Sequence, residues 1–263
     1  MNFILKLLEI VGIQILGLFG IFFVFGFILF KLQEKIQKKY RTTIGWKGIL
    51  LTAWVGTPIH ELGHVFFAKI FRHKIHKISL FEPNKQTGGL GHVEHSYNKL
   101  SLYQRIGNFF VGAAPMIFGS VILIIFLYFF VPNAKEIFIP LTNGGGSILV
   151  ILNSIKDTLI HLFTWENISA WNFWIFLYIS FCISAHIAPS KQDRRGMWQG
   201  FFWIILILIL INAIALGLGT DISKYIISLS QFLGILIAVF TYAVIISIVH
   251  LLLISIIFFP LKK

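Results

Sequence analysis

The sequence predicts an all-α polytopic membrane protein of about five to six transmembrane helices, with a small membrane-associated β-hairpin. Its residues are 57% hydrophobic and only 12% charged, too few polar groups to clothe a water-soluble surface. The apolar residues gather in charge-free runs: Val11–Phe30, Ile106–Ala134, Asn167–Ser190, Gly196–Thr220 and Tyr225–Leu261. Each reaches the roughly 20 residues that cross a bilayer as a helix, and none shows the polar stripe a soluble bundle would need. The one markedly polar stretch, His73–Ser101, has the pattern strand, turn, strand.

Taken in order, Met1–Ile10 is short and mixed, and Val11–Phe30 is the first span. Its length, with no small-residue cleavage site after it, argues for a retained anchor over a signal peptide. Lys31–Lys47 is basic and partly amphipathic through Leu32, Ile36 and Tyr40, the pattern of a segment lying on the membrane surface. Gly48–Phe71 has basic stretches on both sides, so it either crosses against the charge rule or turns back at Gly56-Thr57-Pro58. In the polar stretch, Lys77–Phe81 has strand character, Glu82-Pro83-Asn84-Lys85 is turn chemistry, and Gly88–Asn98 reads as a glycine-rich returning strand. Strand alternation puts His92 and Glu94 on one face and His95 on the other, which suits polar contacts better than one shared ion. The next span carries Gly112-Ala113-Ala114-Pro115 and Gly119, small residues that let membrane helices approach closely. Pro132–Trp171 is an outer segment centred on Gly144-Gly145-Gly146, with Ile148–Ile155 skimming the membrane.

The net charge of +12 is not a nucleic-acid signature. Lys31–Lys47, Lys69–Lys77, Lys191–Arg195 and Lys262-Lys263 fall between apolar runs, as expected of cytoplasmic loops, while Pro132–Trp171 and Asp221–Lys224 belong outside. The expected partner is therefore the lipid bilayer, with no nucleic acid. The single Cys182 excludes an intrachain disulfide and a cysteine-rich metal site.

The residues with chemistry in them are His60-Glu61-Leu62-Gly63-His64. On a helix, residues four apart share a face, so His60 and His64 can hold one metal ion between them. Glu61 stands beside the first ligand, where a carboxylate can take a proton from water activated by the metal. Pro58 suits the first turn of a helix and Thr57 the cap before it, so the array is expected in the opening turns of a new helical segment. Its neighbours Ile59, Leu62, Val65, Phe66 and Phe67 leave it no solvated face, and polar groups unpaired in such surroundings are costly. Catalytic zinc usually takes three protein ligands and keeps its fourth position open. The third ligand must come from elsewhere: His186 and Asp193, both in Ser184–Gly196, are candidates, and His250 is a more remote one.

Over Thr57–Gly196 the chain resembles the site-2 proteases, which are intramembrane zinc metalloproteases. Their membrane-embedded His-Glu-x-x-His matches His60–His64, and their glycine-containing hairpin is similar to Gly88-Gly89-Leu90-Gly91-His92-Val93. Where that family has Asn-x-x-Pro followed by Asp-Gly, this chain has His186-Ile187-Ala188-Pro189, Asp193 one residue closer than usual, and Arg194 in place of the glycine. The resemblance implies a divergent member without an appended soluble domain. Zn2+ would sit on His60, His64 and Asp193, with Glu61 as general base and His186 supporting the oxyanion. It divides the chain into an N-terminal anchor with a basic surface segment (1–47), a metalloprotease-like membrane core (48–199) and C-terminal transmembrane helices (200–263). The implied reaction is hydrolysis of a peptide bond in a membrane-anchored protein or peptide, at a site toward the cytoplasmic side of the plasma (inner) membrane. Two other functions fit the residues: a catalytically inactive metal-binding membrane scaffold, and a metal or small-solute transporter.

Overall fold

A computed structural model describes residues 3–142, 148–220, 222 and 233–259. Nine helices and one two-stranded sheet make up these described residues. They are α1 (Phe3–Thr43), α2 (Trp46–Ile70), β1 (Lys74–Ser79), β2 (His92–Ser96), α3 (Leu102–Phe130), α4 (Ala134–Thr142), α5 (Ile148–Leu162), α6 (Trp165–Ser169), α7 (Trp171–Ser184), α8 (Lys191–Gly217) and α9 (Leu233–Ile257). Helices α1, α3, α8 and α9 are long and apolar enough to cross a membrane. The all-α membrane fold with a β-hairpin is as expected. Gly144-Gly145-Gly146, Lys262-Lys263 and Asp221–Lys224, apart from Ile222, lie outside the described residues.

Three expectations need correction. The basic segment Lys31–Lys47 is not a separate surface element, because α1 runs for 41 residues through it to Thr43. No Gly or Pro interrupts Phe27–Thr43, and Ile36 and Tyr40 are buried with Ile49 of α2 and Ile254 of α9. The amphipathic pattern therefore serves packing.

The second correction concerns α2, which begins at Trp46 and carries Pro58 in its interior, so Thr57 is no cap and the chain does not turn back there. Proline removes one helix hydrogen bond, and packing on both sides of it keeps the helix continuous. Gly56 lies against the Cys182 carbonyl of α7, and Gly63 lies 3.1 Å, measured from where a Cβ would stand, from the Ala114 carbonyl of α3.

The third concerns the expected span Asn167–Ser190. Its main helix, α7, has only 14 residues, about 21 Å of rise, and the chain leaves helical form before Pro189.

The core is built on aromatic edges. Phe109 of α3 meets Phe19 and Phe22 of α1 with ring centroids 5.4 Å apart in both pairs, and Phe22 reaches Phe240 of α9 at 5.9 Å. Against this, α3 and α8 touch backbone to backbone: a side chain on Gly200 would strike the Phe109 amide, and one on Gly112 the Asp193 carbonyl. Gly119 likewise abuts Ile187, so the small-residue stripe on α3 does bring helices close.

The hairpin is antiparallel, with Lys77 opposite Glu94 and Ser79 opposite His92, and an irregularity between Ile75 and Lys77. In its turn the Asn84 side chain accepts from the Gln86 and Thr87 amides at 2.9 and 3.2 Å.

A pair of amides lies inside the bundle. Gln14 of α1 donates to Asn212 of α8 at 3.1 Å and Asn212 donates back at 2.8 Å. Reciprocal amides in an apolar interior tie two helices together. Gln14→Leu is expected to destabilise the fold by about 1–2 kcal/mol, since it strands Asn212, and Gln14→Leu with Asn212→Leu to recover part of that loss. Thermal unfolding of both variants in detergent checks this.

Candidate metal centre

Helix α2 sets the first two ligands. His60 and His64 are one turn apart, with their Nε2 atoms 3.2 Å from each other. Each ring is fixed from behind by a backbone carbonyl. His60 Nδ1–H donates to the His186 carbonyl at 2.6 Å, and His64 Nδ1–H to the Val111 carbonyl at 2.9 Å. Protonation on Nδ1 leaves both Nε2 lone pairs facing inward, the tautomer a metal requires.

The third candidate ligand arrives on the first turn of α8. Ser190 caps that helix: its hydroxyl accepts from the Asp193 amide at 3.2 Å, while Asp193 Oδ2 accepts from the Ser190 amide at 2.7 Å. This reciprocal cap aims the carboxylate back at α2. Asp193 Oδ1 lies 3.3 Å from His64 Nε2, and Oδ2 lies 3.5 Å from His60 Nε2. Among the described residues this is the one cluster of three or more His, Cys, Asp or Glu able to share an ion.

The donor set fits zinc. A tetrahedral ion with bonds of about 2.0–2.1 Å separates its ligand atoms by about 3.3 Å. The two imidazole nitrogens stand 3.2 Å apart, and each has one oxygen of the Asp193 carboxylate beside it, Oδ1 at 3.3 Å from His64 and Oδ2 at 3.5 Å from His60. Two neutral imidazoles with the carboxylates of Asp193 and nearby Glu61 would also balance a dication, so the site would carry no net charge into apolar surroundings.

Glu61 is buried, 6% exposed, and faces a cavity of about 720 Å3 shared with His60, His64 and Asp193. The hairpin closes over it. Gly91 comes so near that a Cβ would stand 3.0 Å from Glu61 Cγ and 2.9 Å from the Ser79 and Leu80 carbonyls, so only glycine fits without displacement. His92, Val93 and His95 line the cavity beside it.

His186 does not take the place expected of it. Its ring is buried, 4% exposed, and is not among the residues lining the cavity. Thr52 explains why. The Thr52 hydroxyl donates to the Ile49 carbonyl at 3.2 Å, so its oxygen is left to accept from His186 Nε2–H at 3.0 Å. What His186 offers the site is its main-chain carbonyl, not an imidazole that could support an oxyanion or bind the ion. His250 is also elsewhere, 2.9 Å from the Tyr40 hydroxyl and stacked on Phe181.

In the hairpin, His92 Nε2 lies 3.8 Å from Glu94, while His95 turns to His73. His73 Nε2–H donates to the Gln104 carbonyl at 2.9 Å, so its Nδ1 accepts from His95 at 3.2 Å. Burial, and then the neighbouring His73, push His95 down to about 4, and it meets the cavity as a neutral ring at pH 7.

Several supporting groups escaped the sequence reading. The Val111 and His186 carbonyls carry no side-chain signature at all. Gln33 and Gln37, one turn apart on α1, hold the segment bearing His186: Gln33 accepts from the Ala188 amide at 3.0 Å, and Gln37 donates to the Ala185 carbonyl at 3.4 Å. Two uncharged amides inside the basic run were the available signal.

No family model matches the chain, and no curated protein or solved structure is significantly similar to it.

Purified protein is expected to hold about one zinc per chain, as a single three-ligand site does. His60→Ala, His64→Ala and Asp193→Ala should each weaken binding beyond the roughly 10–100-fold typical of changes to outer groups. His186→Ala keeps the carbonyl that holds His60 and should retain zinc. Elemental analysis after dialysis against a chelator distinguishes the four.

Proposed function

We propose that this chain is an intramembrane zinc metalloendopeptidase of the site-2 protease type. Its substrate is a membrane-anchored protein or peptide, and its site opens toward the cytoplasmic side of the plasma (inner) membrane. The observation that carries the reading is the placement of Glu61 on the wall of the same cavity as a three-ligand set. Three protein ligands leave a tetrahedral ion one open position, as a hydrolase needs and a structural site does not. The orientation rests on Lys69–Lys77 and Lys191–Arg195, which flank the site and follow the cytoplasmic charge bias.

When bound, zinc supplies Lewis-acid polarisation and makes water a nucleophile near neutral pH. The protein side of the reaction is proton handling and positioning. Glu61 accepts the proton of the attacking water as its oxygen bonds to the peptide carbon, then delivers that proton to the amide nitrogen as the carbon–nitrogen bond breaks. Its carboxylate makes no hydrogen bond to another described residue, which leaves it available for both transfers. His60, His64 and Asp193 keep their own protonation states throughout. A helical peptide bond is shielded by its own hydrogen bonds, so the substrate must unwind locally. The hairpin gives the unwound chain a surface, because Gly91, His92 and Val93 border the cavity and a two-stranded sheet leaves outer edges open to strand addition.

Glu61→Gln keeps the shape of the side chain but cannot take the proton. It should leave zinc content unchanged and lower cleavage of a membrane-anchored reporter by roughly 10²–10⁴-fold. Cleavage equal to the wild type would end the peptidase reading.

A further inference from the structure

Asn108 has no part in the chemistry above, yet it lies inside the site. It is 5% exposed and lines the cavity shared by His60, Glu61, His64 and Asp193. Its carboxamide makes no hydrogen bond to another described residue. Other amides of the bundle are engaged: Gln14 with Asn212, Asn167 with the His161 and Leu162 carbonyls, Asn172 with the Phe130 carbonyl. The polar atoms of Asn108 are not among those sealed from any opening, and an amide held at a cavity wall without a protein partner is a donor and acceptor ready for whatever enters.

The position of Asn108 is rigid. It sits three residues before Val111, on the face of α3 whose carbonyl anchors His64. Its neighbour Phe109 packs backbone-on against Gly200, and its own carbonyl is 3.6 Å from where a Cβ on Gly196 would stand. The same two helices thus fix the Asn108 carboxamide and the Asp193 carboxylate. The imidazole expected to steady a developing oxyanion, His186, is bonded to Thr52 instead. Among the cavity-lining residues, Asn108 is the buried neutral side chain whose N–H donors are not already engaged, since the His64 Nδ1–H is given to the Val111 carbonyl.

We infer that Asn108 contacts the substrate, donating from its carboxamide N–H to the carbonyl oxygen of the scissile peptide. This rests on the peptidase reading above. When the water oxygen adds to the carbonyl carbon, the π pair moves onto the carbonyl oxygen, and the hydrogen bond from Asn108 strengthens as that charge grows. When the carbon–nitrogen bond breaks, the pair returns and the proton held by Glu61 leaves on the amine. Asn108 neither gains nor loses a proton.

The test uses the full chain in proteoliposomes with a membrane-anchored reporter peptide, comparing wild type, Glu61→Gln, Asn108→Ala and Asn108→Asp by kcat, KM and zinc content. Asn108→Asp keeps the shape and removes the N–H donors, which guards against a purely structural effect of the alanine. Both Asn108 variants are expected to lose roughly 10²–10³-fold in kcat, with KM and zinc content unchanged. Wild-type kcat in either one overturns the inference. So does a loss of zinc in step with activity, because Asn108 would then be a structural residue. Failure of the wild type to cleave, or equal cleavage by Glu61→Gln, removes the peptidase reading itself and this inference with it.

Discussion

Asp193 reaches the histidines of α2 because α3 and α8 can approach until their backbones touch. Any side chain on Gly112 would run into the Asp193 carbonyl, and any on Gly200 into the Phe109 amide. With those two positions empty of side chains, the first turn of α8 comes down beside Val111, whose carbonyl already holds His64. The third candidate ligand and the anchor of the second are thereby set by one helix contact. In a membrane, where apolar surface gains little by facing protein over lipid, such packing is a main force between helices.

A second constraint acts through main-chain carbonyls. His60 and His64 each give their Nδ1 proton to a carbonyl at a place where the backbone is not saturated or is shared, and so present Nε2 inward. The His186 carbonyl is free because the chain has left α7, and Gln33 and Gln37 of α1 brace the turn that follows. The first helix, apparently remote from the motif, thus supports one of its histidines. A site assembled from four helices in this way is stiff around its three candidate ligands. The hairpin covers it, with Gly91 packed against Glu61.

Four of the five apolar runs, the hairpin and the pairing of His60 with His64 were legible because each rests on a pattern strong enough to survive its context, whereas Asp193 was separated from His186 only by the family resemblance. Twenty apolar residues have few alternatives, and histidines four apart on a helix share a face wherever the helix lies. Thr57-Pro58 misled because helix-start chemistry is a local preference, and the contacts of Gly56 with α7 and Gly63 with α3 override it. Lys31–Lys47 misled in a similar way, since its apolar stripe faces α2 and α9 and not lipid headgroups. His186 was recognised as belonging to the site, but which of its groups takes part depends on Thr52, a residue 134 positions away with no motif of its own. Asn108 gave no signal in the sequence, because a single amide before a small-residue stripe says nothing until the cavity is seen.

The central claim is that two imidazoles of α2 and the carboxylate of α8 form one zinc site with a position left open. X-ray absorption at the zinc edge of the purified, full-length protein tests it most directly. The account predicts two imidazole nitrogens and one carboxylate oxygen at about 2.0–2.1 Å, with the imidazole contribution halved in zinc-reconstituted His64→Ala. Protein that retains no zinc, or whose zinc shell contains sulfur or four imidazoles, would contradict it.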